Sequence, residues 1–328
     1  METGGRAAEA GLPRRLRVVD SHTIGEPTRV VVDPAFPAAL DLGDGTVRAQ
    51  RDAFRTRHDH VRRALVGDPR GVDAMVGVIL VPPADPSCQF GAFYFNRVGY
   101  LDMCGHATIG VAATLGATGA IGLGSFRMET PAGVVVVHWH GGGEASFDNV
   151  PPRRIHRGLT VAATDGVRVT GDVATCGLWF FICRDHGLRV LPAEIPRLTE
   201  RAWAIRRGLE ARGVTGDGGE TVDHIVLLGP PSNPVNHGKA FVLCPDGAFD
   251  RSPCGTGTGA LVGCMLEDGQ LAEGQVWRQE SVMGGVYEAS IRRANGSLIP
   301  TVKGRAWITS ESELHFDEDD PYRTGLTP

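Results

Sequence analysis

Hydrophobic positions in this chain switch between a period of two and a period near 3.6, and the switches divide it into elements. From Val18 to Val32, VVDSHTIGEPTRVVV sets β-branched residues in two short runs split by IGEP, which predicts two strands joined by a tight turn. In DAFRTRHDHVRRALVG, Phe54, Val61 and Leu65 fall on one face of a helix whose other face is charged. AMVGVILVPP and CQFGAFYFNRVGYLD read as strands. GHATIGVAATLGATG is small and apolar with no charge, the signature of a helix buried nearly all round. Strands follow in SFRMETPAGVVVVHWHG and EASFDNV, and then VPPRR, whose two prolines cannot continue a ladder, reads as a linker.

Beyond the linker the order repeats. TCGLWFFICRD is a strand, LTERAWAIRRGLEAR a helix, and DHIVLLGPP and KAFVLCP are strands. GTGALVGCMLEDG is a second helix of small apolar residues, followed by strands in QVWRQESVMGGVYEASIRR and RAWITS. The first 15 or so residues are expected to fray, and the acidic tail FDEDDPYRTGLTP to be a solvated end.

The repetition extends to individual residues. Cys104 opens CGHATIGVA and Cys254 opens CGTGTGALV, 150 residues apart, and Glu129 and Glu280 follow their cysteines by 25 and 26 residues. Two related half-chains, each built around one buried helix and facing the other across a cleft, account for this. The halves are expected at 15–152 and 153–315, with the tail 316–328 joining the first.

Composition narrows the partners. With 42% hydrophobic and 22% charged residues, the 328-residue chain is an ordinary globular protein of about two domains. A formal net charge of -5 supplies no basic field for nucleic acid or a membrane surface, so a small molecule is the expected partner. The opening METGGRAAEAGLPRRLR lacks an apolar core of signal-peptide length, and no run approaches the roughly 18 apolar residues of a membrane helix, which predicts a cytoplasmic protein. A homodimer is the base-rate expectation. Seven cysteines with no C-x-x-C pair favour neither a disulfide framework nor a zinc site. Cys88, Cys176, Cys183, Cys244 and Cys264 lie beside apolar residues and read as buried structural thiols.

Cys104 and Cys254 differ from these five in standing at the head of a helix. A helix N-terminus lowers a thiol pKa, and free first-turn N–H groups bind a carboxylate. The glycine after each cysteine lets a ligand approach the backbone. Two such thiols across a cleft suit a two-base inversion, in which one takes a proton from one face of a carbon next to a carboxylate and the other returns one to the opposite face. Two facing thiols could instead form a redox pair. GTGTGA lacks both the G-x-G-x-x-G spacing and a Walker lysine, so it is not a nucleotide fingerprint.

GYLDMCGHATIG, DRSPCGTGTGA, HTIGEPTRVV and WRQESVMGGVYEASI together resemble the proline racemase family, most closely its 4-hydroxyproline 2-epimerase branch, over about Val18 to Thr309. The resemblance implies a diaminopimelate epimerase-like α/β (α+β) fold of two pseudo-symmetric domains, each with a curved, mostly antiparallel sheet around a central helix. It implies a cofactor-independent, metal-free enzyme acting on a small imino acid, with Cys104 and Cys254 as the two acid/base thiols. Gly105, His106, Gly255 and Thr256 would bind the substrate carboxylate, Asp250 its ammonium group, and His224 would face the ring. The chain departs from the family pattern at Cys176, Leu178 and Ala107, and these positions bear on ring specificity. Related trans-3-hydroxyproline dehydratases carry threonine where this chain has Cys254, so the resemblance implies epimerisation. Proline racemase activity is the alternative within the class, and a thiol redox protein or a silent amino-acid binder the alternatives outside it.

Overall fold

The computed structural model describes residues 12–326. Most of the segment expected to fray therefore lies outside the described residues. From residue 12 onward the chain is tied down: Leu12 is buried, and its carbonyl accepts a bond from Arg323.

The first half runs β1 (Arg15–Thr23), β2 (Glu26–Val31), α1 (Phe36–Ala39), α2 (Val47–Val66), β3 (Val76–Val81), β4 (Phe90–Phe95), β5 (Tyr100–Leu101), α3 (Gly105–Ala117), β6 (Gly124–Thr130), β7 (Gly133–Gly141) and β8 (Glu144–Asp148). The second runs β9 (Arg153–Ala162), β10 (Arg168–Thr175), β11 (Trp179–Cys183), α4 (Ile195–Ala211), β12 (His224–Gly229), β13 (Gly238–Leu243), α5 (Gly255–Glu267), β14 (Trp277–Ser281), β15 (Val286–Ala294) and β16 (Ser297–His315). In the first half β1-β2-β3-β4-β6-β7-β8-β16 closes on itself through the β1–β16 pairing, forming a barrel around α3. In the second, β16 back to β9 curls around α5.

The pairing pattern recurs as the sequence repeat requires. Parallel pairs β2–β3 and β4–β6 are matched by β11–β12 and β13–β14, with antiparallel β3–β4 and β12–β13 between them. Each central helix is free of Asp, Glu, Lys and Arg along its buried length, residues 105–115 and 255–265, and only the last turn of α5 carries a charge, at Glu267. The amphipathic helices α2 and α4 instead pack one face on the outside of their halves, each over its own apolar cluster. The repeated glutamates are structural anchors. Glu129 accepts the N–H groups of Val47, Ala84 and Asp85, and Glu280 those of Ser232 and Asn233 together with the Asn236 amide.

Two expectations change. β16 is a 19-residue strand rather than the six residues of RAWITS, pairing with β15, then β8, then β1, and so serving both halves. Its last third, SESELH, has too few apolar residues to show a strand period, and backbone pairing with β1 holds it extended. The acidic tail is docked at several points, although Asp317, Glu318 and Asp319 stay exposed as expected. Phe316 is fully buried, the Arg70 guanidinium lies 4.8 Å from its ring centroid, and Arg70 Nη2 pairs with Asp320 at 2.6 Å.

Candidate active site

Helices α3 and α5 meet end to end at their N-termini, with Cys104 and Cys254 as the capping residues. The glycines after the cysteines are what permit this. A Cβ on Gly105 would lie 2.8 Å from the Gly255 Cα, and one on Gly255 would lie 3.1 Å from the Gly105 Cα. The edge of the Phe147 ring lies beneath both, 3.1 and 3.2 Å from those positions. Close backbone approach between the helices, as much as approach of a ligand, thus demands glycine here. Gly105→Ala is expected to destabilise the fold by roughly 1–3 kcal/mol, because the opposing atoms are backbone and cannot swing aside. Thermal unfolding checks this, and an unchanged melting temperature would contradict it.

The two ends are not identical. Cys104 has extended backbone, whereas Cys254 has φ +61°, a left-handed value that costs a non-glycine residue about 1–3 kcal/mol. The preceding loop holds it there. Asp250 Oδ1 accepts the Ser252 N–H at 2.8 Å, Ser252 Oγ accepts the Cys254 N–H at 3.3 Å, and Glu26 Oε2 accepts the Arg251 N–H at 2.8 Å from the other half. The thiols also have different neighbours: Cys104 Sγ lies 3.3 Å from His106 Nδ1, and Cys254 Sγ lies 3.8 Å from Thr256 Oγ1.

All eight residues expected at the site line one cavity of about 50 Å³ between the halves. His224 enters at the start of β12, with Nδ1 held by Asp223 at 2.7 Å and its ring 5.0 Å from that of Phe180. Sequence reasoning missed Glu26, Asn96 and Asp246, which also line the cavity. Glu26 carried a signal in its place beside the turn of HTIGEPTR, but nothing local linked that turn to a cysteine 78 residues away. Cys244 requires a correction: it lines the cavity and is only partly buried. Of the departures from the family pattern, Leu178 faces the cavity, whereas Cys176 bonds Asn149 and the Val150 carbonyl away from it.

The described lining holds three carboxylates, Glu26, Asp246 and Asp250, and no lysine or arginine. It therefore suits a cationic group, and leaves an anion to the first-turn N–H groups of the two helices. Burial raises Asp250 to about 6, and burial together with Asp250 raises Glu26 well above the usual carboxylate range. Burial lowers His106 to about 4, so its imidazole is neutral near pH 7. The expectation that the helix termini lower the thiols toward neutrality is not met. Burial pushes both thiols up, Asp250 adds to it at each, and the N–H groups of Ala107 and Gly257 offset this only in part. All seven cysteines are free, and among the described residues no His/Cys/Asp/Glu cluster could hold a metal ion. No described helix is long and apolar enough to cross a membrane.

A model of the proline racemase family matches residues 18–327. The chain belongs to the proline racemase family. A 4-hydroxyproline 2-epimerase of Burkholderia cenocepacia is 45% identical over 95% of this chain and 99% of its own length. One from Xanthomonas campestris pv. campestris is 46% identical over 94% and 98%. The fold matches the crystal structure of a hydroxyproline epimerase from Agrobacterium vitis with bound trans-4-hydroxy-L-proline, with a TM-score of 0.85 at 22% identity over 98% of this chain and 96% of that one. The diaminopimelate epimerase-like expectation for the fold agrees with this likeness.

Proposed function

We propose that this protein inverts Cα of 4-hydroxyproline without a cofactor, interconverting trans-4-hydroxy-L-proline and cis-4-hydroxy-D-proline. The observation that carries the proposal is two thiols capping abutting helix N-termini inside one cavity lined with carboxylates. The names of relatives 42–46% identical to this chain support the substrate.

The first-turn N–H groups at Gly105, His106, Gly255 and Thr256 receive the substrate carboxylate, Asp250 pairs with its ammonium, and His224 faces the ring. The reactive form carries one thiolate and one thiol. The thiolate removes the Cα proton, and the electron pair passes into the carboxylate, whose added charge the two helix termini stabilise. The other thiol then protonates the opposite face and becomes the thiolate, so each turnover exchanges the two roles. The ammonium also neutralises Asp250, one source of the upward push on both thiols.

Incubation with trans-4-hydroxy-L-proline in deuterated water is expected to give Cα deuterium together with a change in optical rotation. Absence of exchange with any proline derivative under reducing conditions would overturn the proposal. Exchange with loss of water would indicate a dehydratase, and a preference for proline a racemase.

A further inference from the structure

Asn96 and Asp246 have no place in the proton transfer, yet both line the cavity. Each stands eight residues before its cysteine, so the two are equivalent positions of the sequence repeat, one from each half. Their orientations are fixed. Asn96 Oδ1 accepts the N–H groups of Val98 and Gly99, which leaves Nδ2 to face Asp246. Asp246 Oδ1 accepts the Ala248 N–H, which leaves Oδ2 to face Asn96. These atoms are 3.4 Å apart, at the long end of hydrogen bonding, so the cavity presents a donor and an acceptor that satisfy each other poorly. The cavity lining also includes Ala74, Val76 and Ala248, whose apolar side chains suit ring carbons.

We propose that Asn96 and Asp246 read the ring hydroxyl of the substrate: Asn96 Nδ2 donates to the hydroxyl oxygen, and the hydroxyl donates to Asp246 Oδ2. The proposal rests on the epimerase function above and adds the residues that distinguish 4-hydroxyproline from proline. Inversion at Cα leaves C4 and its configuration untouched, so a hydroxyl held here keeps its partners in both isomers. Plain proline leaves the poorly matched pair facing its C4 methylene, a loss that a site built to bond a hydroxyl turns into discrimination.

The test is Asp246→Asn, which keeps an oxygen for the Ala248 N–H and replaces the acceptor facing Asn96 with a second amide. Cα deuterium incorporation is followed for trans-4-hydroxy-L-proline and L-proline, in the wild type and the variant. For the hydroxylated substrate kcat/KM is expected to fall about 10- to 100-fold, and for proline to change less than about threefold. Equal changes for both substrates, or an unaltered ratio, would overturn the proposal. Asn96→Asp, which keeps the acceptor for the Val98 and Gly99 N–H groups, is the second variant should Asp246→Asn fail to fold, and the same collapse of the ratio is expected. A wild type that exchanges neither substrate removes the epimerase function and this proposal together. A wild type active on hydroxyproline with an unmoved ratio in the variants removes this proposal alone.

Discussion

Cys104→Ser and Cys254→Ser are each expected to lower kcat/KM for epimerisation by about three orders of magnitude or more, because a hydroxyl cannot supply an accessible anion in place of a thiolate. The informative result is what each variant retains. With one cysteine left, its thiolate still removes the Cα proton from the isomer presented to it. The resulting thiol exchanges with solvent and returns deuterium to the same face, giving exchange without inversion. In the proposed two-base reaction the thiols serve opposite faces, so the two variants are expected to retain exchange with opposite isomers. Cys104 and Cys254 line one cavity from the abutting ends of two helices, one from each half. Loss of exchange with both isomers in both variants, or epimerisation within tenfold of wild type in either, would contradict a two-base reaction.

Asp250→Asn is expected to separate stability from activity. Removing the carboxylate proposed to pair with the substrate ammonium is expected to lower kcat/KM roughly 100-fold, the scale of one lost charge-assisted bond. In folding, the same change relieves a cost. Asp250 is moved by burial from its ordinary 3.8 to about 6, so its ionisation is harder in the folded than in the unfolded chain. That cost is absent below pH 3.8, grows as pH rises through 6, and levels off above it at roughly 2–3 kcal/mol. The variant should therefore melt higher than wild type at pH 8, and the gain should vanish toward pH 4. In the wild type kcat/KM should fall below pH 6 as Asp250 takes up a proton. Unfolding curves at the two pH values and a rate profile across pH 5–8 check these outcomes. A melting difference that does not vary with pH would count against the buried charge.

The two buried helices, their capping cysteines and the repeat relating them were legible in the sequence because each depends on local chemistry. A run of small, apolar residues almost free of charge reads as a buried helix, and a cysteine before glycine at its head marks an end with free N–H groups. Asp250 and His224 were reached only through resemblance, since neither spacing nor period distinguishes them from ordinary strand-end residues. Glu26 escaped notice because it meets the Cys254 loop across more than 200 residues of chain. Asn96 and Asp246, only eight residues before their cysteines, and the misjudged Cys244 lie in or beside turns where no period shows which side chains face the cavity. SESELH failed to read as a strand because its extended form comes from pairing with β1, almost 300 residues earlier.

The sequence by itself determined that two like halves each present a thiol at a helix terminus, because helix burial and capping are set within a dozen residues. Only the tertiary structure decided that the helix ends abut, that three carboxylates from both halves share their cavity, and that burial outweighs the helix termini in holding the thiols protonated. The physical reason is that desolvation and charge–charge repulsion depend on what surrounds a group in space. In this fold those surroundings are assembled from segments as far apart as Glu26 and Asp250.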